Sequence, residues 1–473
     1  MSEASALERL SIPPESDSAP PIDEVLTARE EQRNFRLTVV NGIMTGGPSM
    51  LFEPTTVVAA LIIHLNGSQA LVGLVCGLVS LGWVWPQLFV ANWIEPKPRK
   101  LFVYHITAGV RVGSLAAIAV LMWVLRHNLP GWFLYAMIAL LFVCWSGNGF
   151  SAVGWYDVFS KIIPGSKRPV VFAWRQTGAG VVALLAGLVV SWALGSGSGM
   201  TFPTNYFFLL ALMTALTAVG IGAFSLVHEP ADYHTAERRR PWKQYFRFGT
   251  EIMRHDHNYR CLFFGQVSFG LGVMATPFLV PFLIREVGID DSVIGVLMAV
   301  AAGTDLLVNI YWGHLGTRRG NRSVLVQASR LASLAPLAAL TVLFVPPATI
   351  LGLDARVVLV AASLVVSRVG GSGIGVGRMN YLLDIAPQGV RPSYVGFMNT
   401  FSTFSILVPI VAGKVIDTAG YLPVFATAAV FGIVTIAAFI RLDHLPNGQA
   451  NGEFRAQPSP ADAPAGARAH EGS

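Results

Sequence analysis

The chain has 473 residues, of which 53% are hydrophobic and only 13% charged, with a mean hydropathy of +0.56. Soluble domains carry about 25% charged residues, so this chain lacks the polar side chains to cover a water-facing surface. A soluble enzyme is excluded, and the net charge of +6 reports on topology instead of on nucleic acid.

Residues 1–34 form a polar tail containing Pro13-Pro14-Glu15-Ser16-Asp17, with no pattern of a cleavable signal peptide. Within it, Ile22–Arg36 has the pattern of a short amphipathic helix. Apolar segments of about 20 residues cross a bilayer as helices. Twelve follow in chain order, at 37–65, 70–93, 101–126, 131–155, 169–195, 204–227, 260–284, 291–314, 323–345, 356–383, 392–416 and 421–441. The sequence therefore predicts an all-α integral membrane protein with an N-terminal six-helix bundle over 35–227 and a C-terminal one over 260–442. A basic connection over 228–259 separates them, and an Ala/Pro/Gly-rich tail over 443–473 ends the chain.

Cations alternate between the loops. Arg29, Arg33 and Arg36 precede the first span; Lys97, Arg99 and Lys100 follow the second; Lys161, Lys167 and Arg168 follow the fourth. The loop Asn66-Gly67-Ser68-Gln69 and the stretch 195–205 carry none. By the positive-inside rule both termini and the central loop are cytoplasmic, which places the protein in the inner membrane. The run Arg238-Arg239-Arg240-Pro241-Trp242-Lys243 mixes cations with an aromatic ring next to the bilayer, and this points to anionic lipid as its partner, not nucleic acid.

An internal repeat runs through the chain. Ile162-Ile163-Pro164-Gly165-Ser166-Lys167-Arg168-Pro169 returns as Ile385-Ala386-Pro387-Gln388-Gly389-Val390-Arg391-Pro392, at an offset of 223 residues. At the same offset Val153-Gly154 matches Val376-Gly377, and Thr177 matches Thr400. Parallel halves of a transporter leave such a trace.

An ionisable side chain inside a bilayer costs about 2.5–3.5 kcal/mol on insertion scales, so each one invites a functional reading. Glu53 stands in Gly46-Gly47-Pro48-Ser49-Met50-Leu51-Phe52-Glu53-Pro54, whose glycines and prolines weaken the helix. It is twelve residues from Leu65, roughly 18 Å at helical rise and near mid-membrane. Burial penalises its charged form, so it is a candidate proton carrier. Asp305 and Asn309 share a face of span eight, and Arg368 in span ten is the expected partner of Asp305. Arg175 opens span five and either reaches the cavity or snorkels to the surface. Arg111 and Arg330 read as structural, Asp157 and Asp384 as salt-bridging loop residues beside Lys161 and Arg378, and His64 as an interfacial histidine. Among the tryptophans, Trp83, Trp85, Trp145 and Trp155 read as cavity or packing aromatics.

The glycine run 370–377 has neither the preceding strand nor the following Lys-Ser/Thr of a phosphate loop, so nucleotide-driven transport is rejected. Cys76, Cys144 and Cys261 share no metal or redox spacing and read as packing residues. No metal, cofactor or catalytic constellation is expected.

Two loops carry a family resemblance. Gly313-His314-Leu315-Gly316-Thr317-Arg318-Arg319-Gly320-Asn321-Arg322, after span eight, resembles the loop signature of the major facilitator superfamily at Gly313, Arg318, Gly320 and Arg322, with Thr317 in place of the acid. The first-half copy is 91–100, where Glu95 supplies the acid, Arg99 and Lys100 the cations, and Pro98 replaces the glycine. The resemblance covers about 35–442 and implies two bundles rocking about a central site, with these loops as cytoplasmic gates. The proline of the span-five antiporter motif is missing among Gly178, Gly180 and Gly187. The expected function is a monomeric secondary transporter of a small, amphiphilic organic solute, with proton coupling. The alternatives are an uncoupled uniporter and a non-transporting sensor on the same fold.

Overall fold

The computed structural model describes residues 26–94, 99–164, 167–231, 250–350, 353–386, 398 and 408–444. The N-terminal tail up to 25, Glu95, the basic run 238–240, Pro387, Arg391, the first part of span eleven and the tail from 445 lie outside the described residues.

Chain entry is set by a capping box. The Thr27 side chain accepts from the Glu30 N–H while Glu30 accepts from the Thr27 N–H at 2.9 Å, which satisfies donors that the first helical turn leaves open. Helix α1 (Ala28–Gly46) then runs directly into the first span, so the expected amphipathic helix is its first turns. At Gly47–Phe52 the helix tightens to a 3-10 turn, Glu53 is extended, Pro54–Val58 widens to a π turn, and α2 (Ala59–His64) completes the crossing. The weakening expected from Gly46, Gly47, Pro48 and Pro54 thus appears as a real break.

The next elements are α3 (Gln69–Ile94), α4 (Leu101–Val124), α5 (Trp132–Ile162), α6 (Arg168–Leu194) and α7 (Thr204–Ser225). α5 continues a full two turns past the expected end at 155, helped by an i,i+4 ion pair of Asp157 with Lys161 at 2.9 Å.

The seventh span, expected at 260–284, is interrupted. α8 (His257–Gly272) gives way to a 3-10 turn at Thr276–Phe278, a single turn α9 (Leu279–Phe282) and a π turn at Leu283–Val287. Pro277 and Pro281 each lack an N–H and crowd the preceding turn. Pro54 and Pro277 stand 223 residues apart, the offset of the sequence repeat, so both halves break their first span at the same place.

α10 (Ser292–Val342) holds spans eight and nine as two arms meeting at Gly320, whose φ of 77° and ψ of 161° no side chain tolerates well. A two-stranded turn, β1 (Thr349–Ile350) with β2 (Leu353–Asp354), leads to α11 (Ala355–Ile385), followed by α12 (Val408–Ala419) and α13 (Tyr421–Ile440). Among the described residues ten helical segments are long and apolar enough to cross a membrane. Ser292–Asp305 is a shorter apolar helix, and α12 lies in the eleventh expected span. These segments are consistent with twelve spans.

The signature glycines differ in purpose. Gly320 is required by its backbone, whereas a Cβ at Gly313 would meet open space. Gly320→Ala should destabilise the fold by about 1–3 kcal/mol, the range for a residue forced into a glycine-only region. Gly313→Ala should leave stability unchanged, and thermal unfolding in detergent checks both.

Candidate functional site: a central cavity sealed at one end

The helices meet across the repeat at the end opposite the termini, here the far end. α3 packs on α12 and α6 packs on the first arm of α10. Glycines permit both seams. A Cβ at Gly73 would collide with the Pro409 carbonyl, and one at Gly413 with the Gln69 carbonyl. A Cβ at Gly295 would likewise strike the Ser191 backbone, and one at Gly187 the backbone of Ala299.

Polar contacts pin the same end. The Asp417 carboxylate accepts from the backbone N–H groups of Gln69 and Ala70, both at 2.9 Å, and so caps α3 from the other half. Gln69 donates to the Tyr421 hydroxyl at 2.8 Å, and Arg285 donates to the Gly67 carbonyl at 2.7 Å. His64, expected as a solvated interfacial residue, is exposed at the helix end and also pairs with Asp291 at 2.7 Å. Sequence reasoning missed this because Asp291 is distant in the chain and each residue alone reads as polar rim.

Behind this seal lies a cavity of about 1380 Å³. Its wall is mainly apolar, with Met50, Leu115, Trp145, Met213 and Phe269 among its residues, and among the described residues four charged ones reach it: Glu53, Arg111, Asp305 and Arg368.

Glu53 sits on the extended residue between the two irregular turns. The Thr55 hydroxyl lies 2.7 and 2.9 Å from its carboxylate oxygens, and the Thr56 hydroxyl donates at 2.8 Å. The break frees backbone groups as well, and the Glu53 carbonyl accepts from Val58 N–H at 3.1 Å. Thr276 faces the same cavity from the corresponding break of the second half. Asp305 and Arg368 form the expected pair at 3.3 Å, both half-exposed to the cavity. Asn309 lies one turn beyond Asp305, and its side chain is outside the described residues.

Two arginines sit differently from their expected places. Arg175 does not serve the cavity: its Nη1 donates to the Thr38 carbonyl at 2.7 Å and to Asn41 Oδ1 at 3.0 Å, with the guanidinium 4.6 Å over the Trp155 ring. It holds α6 against α1, where Gly42 leaves room for its stem. Arg111, expected to be structural, is 7% exposed and reaches the cavity. The tryptophans also separate. Trp145 lines the cavity, Trp155 is buried and stacks on Phe159 at 4.9 Å, and Trp85 donates to Ser146 at 3.0 Å.

At the termini end, the described contacts of Lys100, Asn321 and Arg322 stay within their own halves. Lys100 pairs with Asp157 at 2.6 Å, and the buried Glu229 carboxylate accepts from the Lys100 and Leu101 N–H groups at 2.7–2.9 Å, capping α4. Lys161 joins them, 2.9 Å from Asp157 and 3.2 Å from Glu229. In the second half Arg322 donates to the carbonyls of Leu442 and Ile440, and Asn321 donates to Asp384 at 2.7 Å. Arg99 and Arg318 are exposed. These contacts fasten helix ends to one another inside each half. Among the described residues the three cysteines are buried free thiols, as packing residues should be.

The helix order and the paired breaks can be set beside known proteins. Residues 262–469 match the model of the Major Facilitator Superfamily. The crystal structure of the nucleoside transporter NupG aligns with a TM-score of 0.60 at 14% identity, covering 87% of this chain and 98% of that one. A bacterial homologue of the iron transporter ferroportin aligns at 0.64 in its inward-facing state and 0.57 in its outward-facing state, with 14% and 16% identity, 88% of this chain and 99% of that chain in both. A bacterial homologue of the human lysosomal transporter Spinster, inward-facing and unoccupied, aligns at 0.61 with 12% identity, covering 88% and 98%. No curated protein matches the sequence. The chain is a multi-pass helical membrane protein with the fold of major facilitator transporters, and residues 262–469 carry its sequence similarity to that family.

Proposed function

We propose that the protein is a secondary active transporter that moves a small, amphiphilic organic solute by alternating access, with protons coupled through Glu53. The observation that carries this reading is the Glu53 carboxylate, held by two hydroxyls on a broken helix at the wall of a large, mainly apolar cavity. A broken helix at this depth leaves backbone and side-chain polar groups free to change partners between states.

The segments 35–227 and 260–442 are the moving bodies in this proposal. The cation alternation puts both termini in the cytoplasm of the inner membrane, so the sealed far end is the outside and the cavity is the inward-facing one. The higher score against the inward-facing ferroportin homologue supports that assignment. Asp305 and Arg368 hold a neutral pair beside the substrate, and Asn309 follows on the same helix. Arg175 stiffens the first bundle, and the signature loops, with Glu95, Arg99, Lys100, Gly313, Arg318, Gly320 and Arg322, anchor the cytoplasmic helix ends.

A uniporter would share the cavity and the seal without proton linkage. Purified protein in proteoliposomes, screened with labelled organic solutes with and without a pH gradient, separates the two. The proposal expects at least one solute to accumulate above its external concentration only when the gradient is present. Equal uptake in both conditions, stopping at equilibration, would make the protein a uniporter.

A further inference from the structure

Arg111 stands midway along α4, 7% exposed, and its stem crosses α5 where residue 147 is glycine. A Cβ at Gly147 would crowd the Arg111 Cγ, so the absence of that carbon lets the guanidinium reach the cavity. Its polar partners are weak and uncharged. Nη1 is 3.5 Å from Ser151 Oγ, at the limit of a hydrogen bond. The neighbouring Tyr104 hydroxyl also accepts from Asn41 Nδ2, at 2.9 Å. The buried Nε has no hydrogen-bond partner among the described residues, and none of the ion pairs found among them includes Arg111.

A guanidinium cannot shed its proton to escape such a place. Its charge inside a bilayer costs about 2.5–3.5 kcal/mol on insertion scales, and an unmet buried donor adds to this. Of the other charged residues on the cavity wall, Asp305 and Arg368 satisfy each other, and Glu53 is taken up by Thr55 and Thr56. Arg111 is the wall cation left without an ion pair or a close hydrogen bond among the described residues. The planar fork of an arginine fits the two oxygens of a carboxylate, and Arg111 shares the cavity wall with Leu115, Trp145, Met213 and Phe269.

We propose that Arg111 anchors the substrate, and that the substrate is an amphiphilic monocarboxylate whose anionic head meets this guanidinium while its apolar body lies against those side chains. This deepens the transport reading and rests on the cavity being the substrate site. A single negative charge matches the one guanidinium without an ion-pair partner. The four wall charges sum to zero with Glu53 ionised and to +1 with Glu53 protonated, so a monoanion and a proton together make a neutral load.

The test is calorimetric titration of the purified protein with phenylbutyrate, phenylbutylamine, phenylbutanol and phenylbutyl phosphate, which share one apolar body. Phenylbutyrate should bind at least about tenfold more tightly than the amine and the alcohol, about 1.4 kcal/mol. Arg111→Gln should bring phenylbutyrate down to the level of phenylbutanol, and Arg111→Lys should keep a reduced preference for the anion. Unchanged phenylbutanol binding in both variants shows that the cavity has survived the substitution. The proposal is overturned if phenylbutyrate binds no better than phenylbutanol, or if Arg111→Gln preserves the preference. Tighter binding of phenylbutyl phosphate overturns the carboxylate assignment in favour of a phosphate ester. Binding or transport of the amine or alcohol that ignores Arg111 removes only the anion assignment. Absence of binding by all four probes, with no solute carried in proteoliposomes, removes the cavity reading as well.

Discussion

Glu53→Gln should abolish gradient-driven accumulation while leaving solute exchange measurable. The side chain keeps its size and its ability to accept the hydroxyls of Thr55 and Thr56, which lie within 2.9 Å of the carboxylate. It cannot take up or release a proton. A pH difference of one unit stores about 1.4 kcal/mol per proton, which in an electroneutral one-proton cycle supports about tenfold accumulation. The variant should fall from that ratio to simple equilibration. Exchange of labelled for unlabelled solute needs the cavity and the rocking motion but no net proton movement, so it should persist. A change in the turn that carries Thr55 and Thr56 would change which partners hold the Glu53 carboxylate between the two faces of the cycle. Full pH-driven accumulation in Glu53→Gln would clear Glu53 of the role and leave Asp305, with its Arg368 partner, as the next residue to replace.

Much of this architecture was legible because membrane burial writes itself into composition. Apolar segments, loop cations and the 223-residue repeat gave the spans, and the weakened helix at Gly46–Pro54 gave the break that holds Glu53. Asp305 and Arg368 were predictable as partners because neither charge is tolerable alone in the bilayer. The break in the seventh span was also available, since Pro277 repeats Pro54 at the shared offset. Its apolar run masked it, because hydropathy reports burial and not backbone geometry. The arginines could not be sorted at all. Whether a guanidinium points to a cavity or to a neighbouring helix depends on which small residue lets its stem pass, Gly147 for Arg111 and Gly42 for Arg175. That choice is made by packing between helices far apart in sequence. The far-end seal is illegible for the same reason: His64 with Asp291, and Asp417 with the start of α3, are pairings across more than 200 residues.

Gly73→Val combined with Gly413→Val should jam the far-end seal open. At both positions even a Cβ would collide with backbone, with Pro409 in one case and with Gln69 and Ala70 in the other. Backbone cannot swing away as a flexible side chain can, so α3 and α12 must separate. Overpacking of this kind costs about 1–3 kcal/mol per site, paid only in the state where the helices touch. Two sites therefore weaken far-end closure by about 2–6 kcal/mol, and because about 5.5 kcal/mol inverts a 99:1 equilibrium, the closed state ceases to dominate at the upper end of this range. The separation also withdraws Asp417 from the N–H groups of Gln69 and Ala70, which removes a favourable contact along with adding an unfavourable one. Transport should drop by at least about tenfold, the factor that 1.4 kcal/mol supplies. With Cys76 and Cys144, which also line the cavity, replaced by serine, a cysteine introduced at Ser80 on the cavity wall should become more reactive to an impermeant thiol reagent applied from the far side. Gly109→Ala and Gly113→Ala are the controls, since a Cβ at either meets nothing within 4 Å, and both should transport as the parent does. Unaltered reactivity at position 80 in the double valine variant, with transport intact, would mean that the α3–α12 seam stays closed throughout the cycle and is not the outer gate.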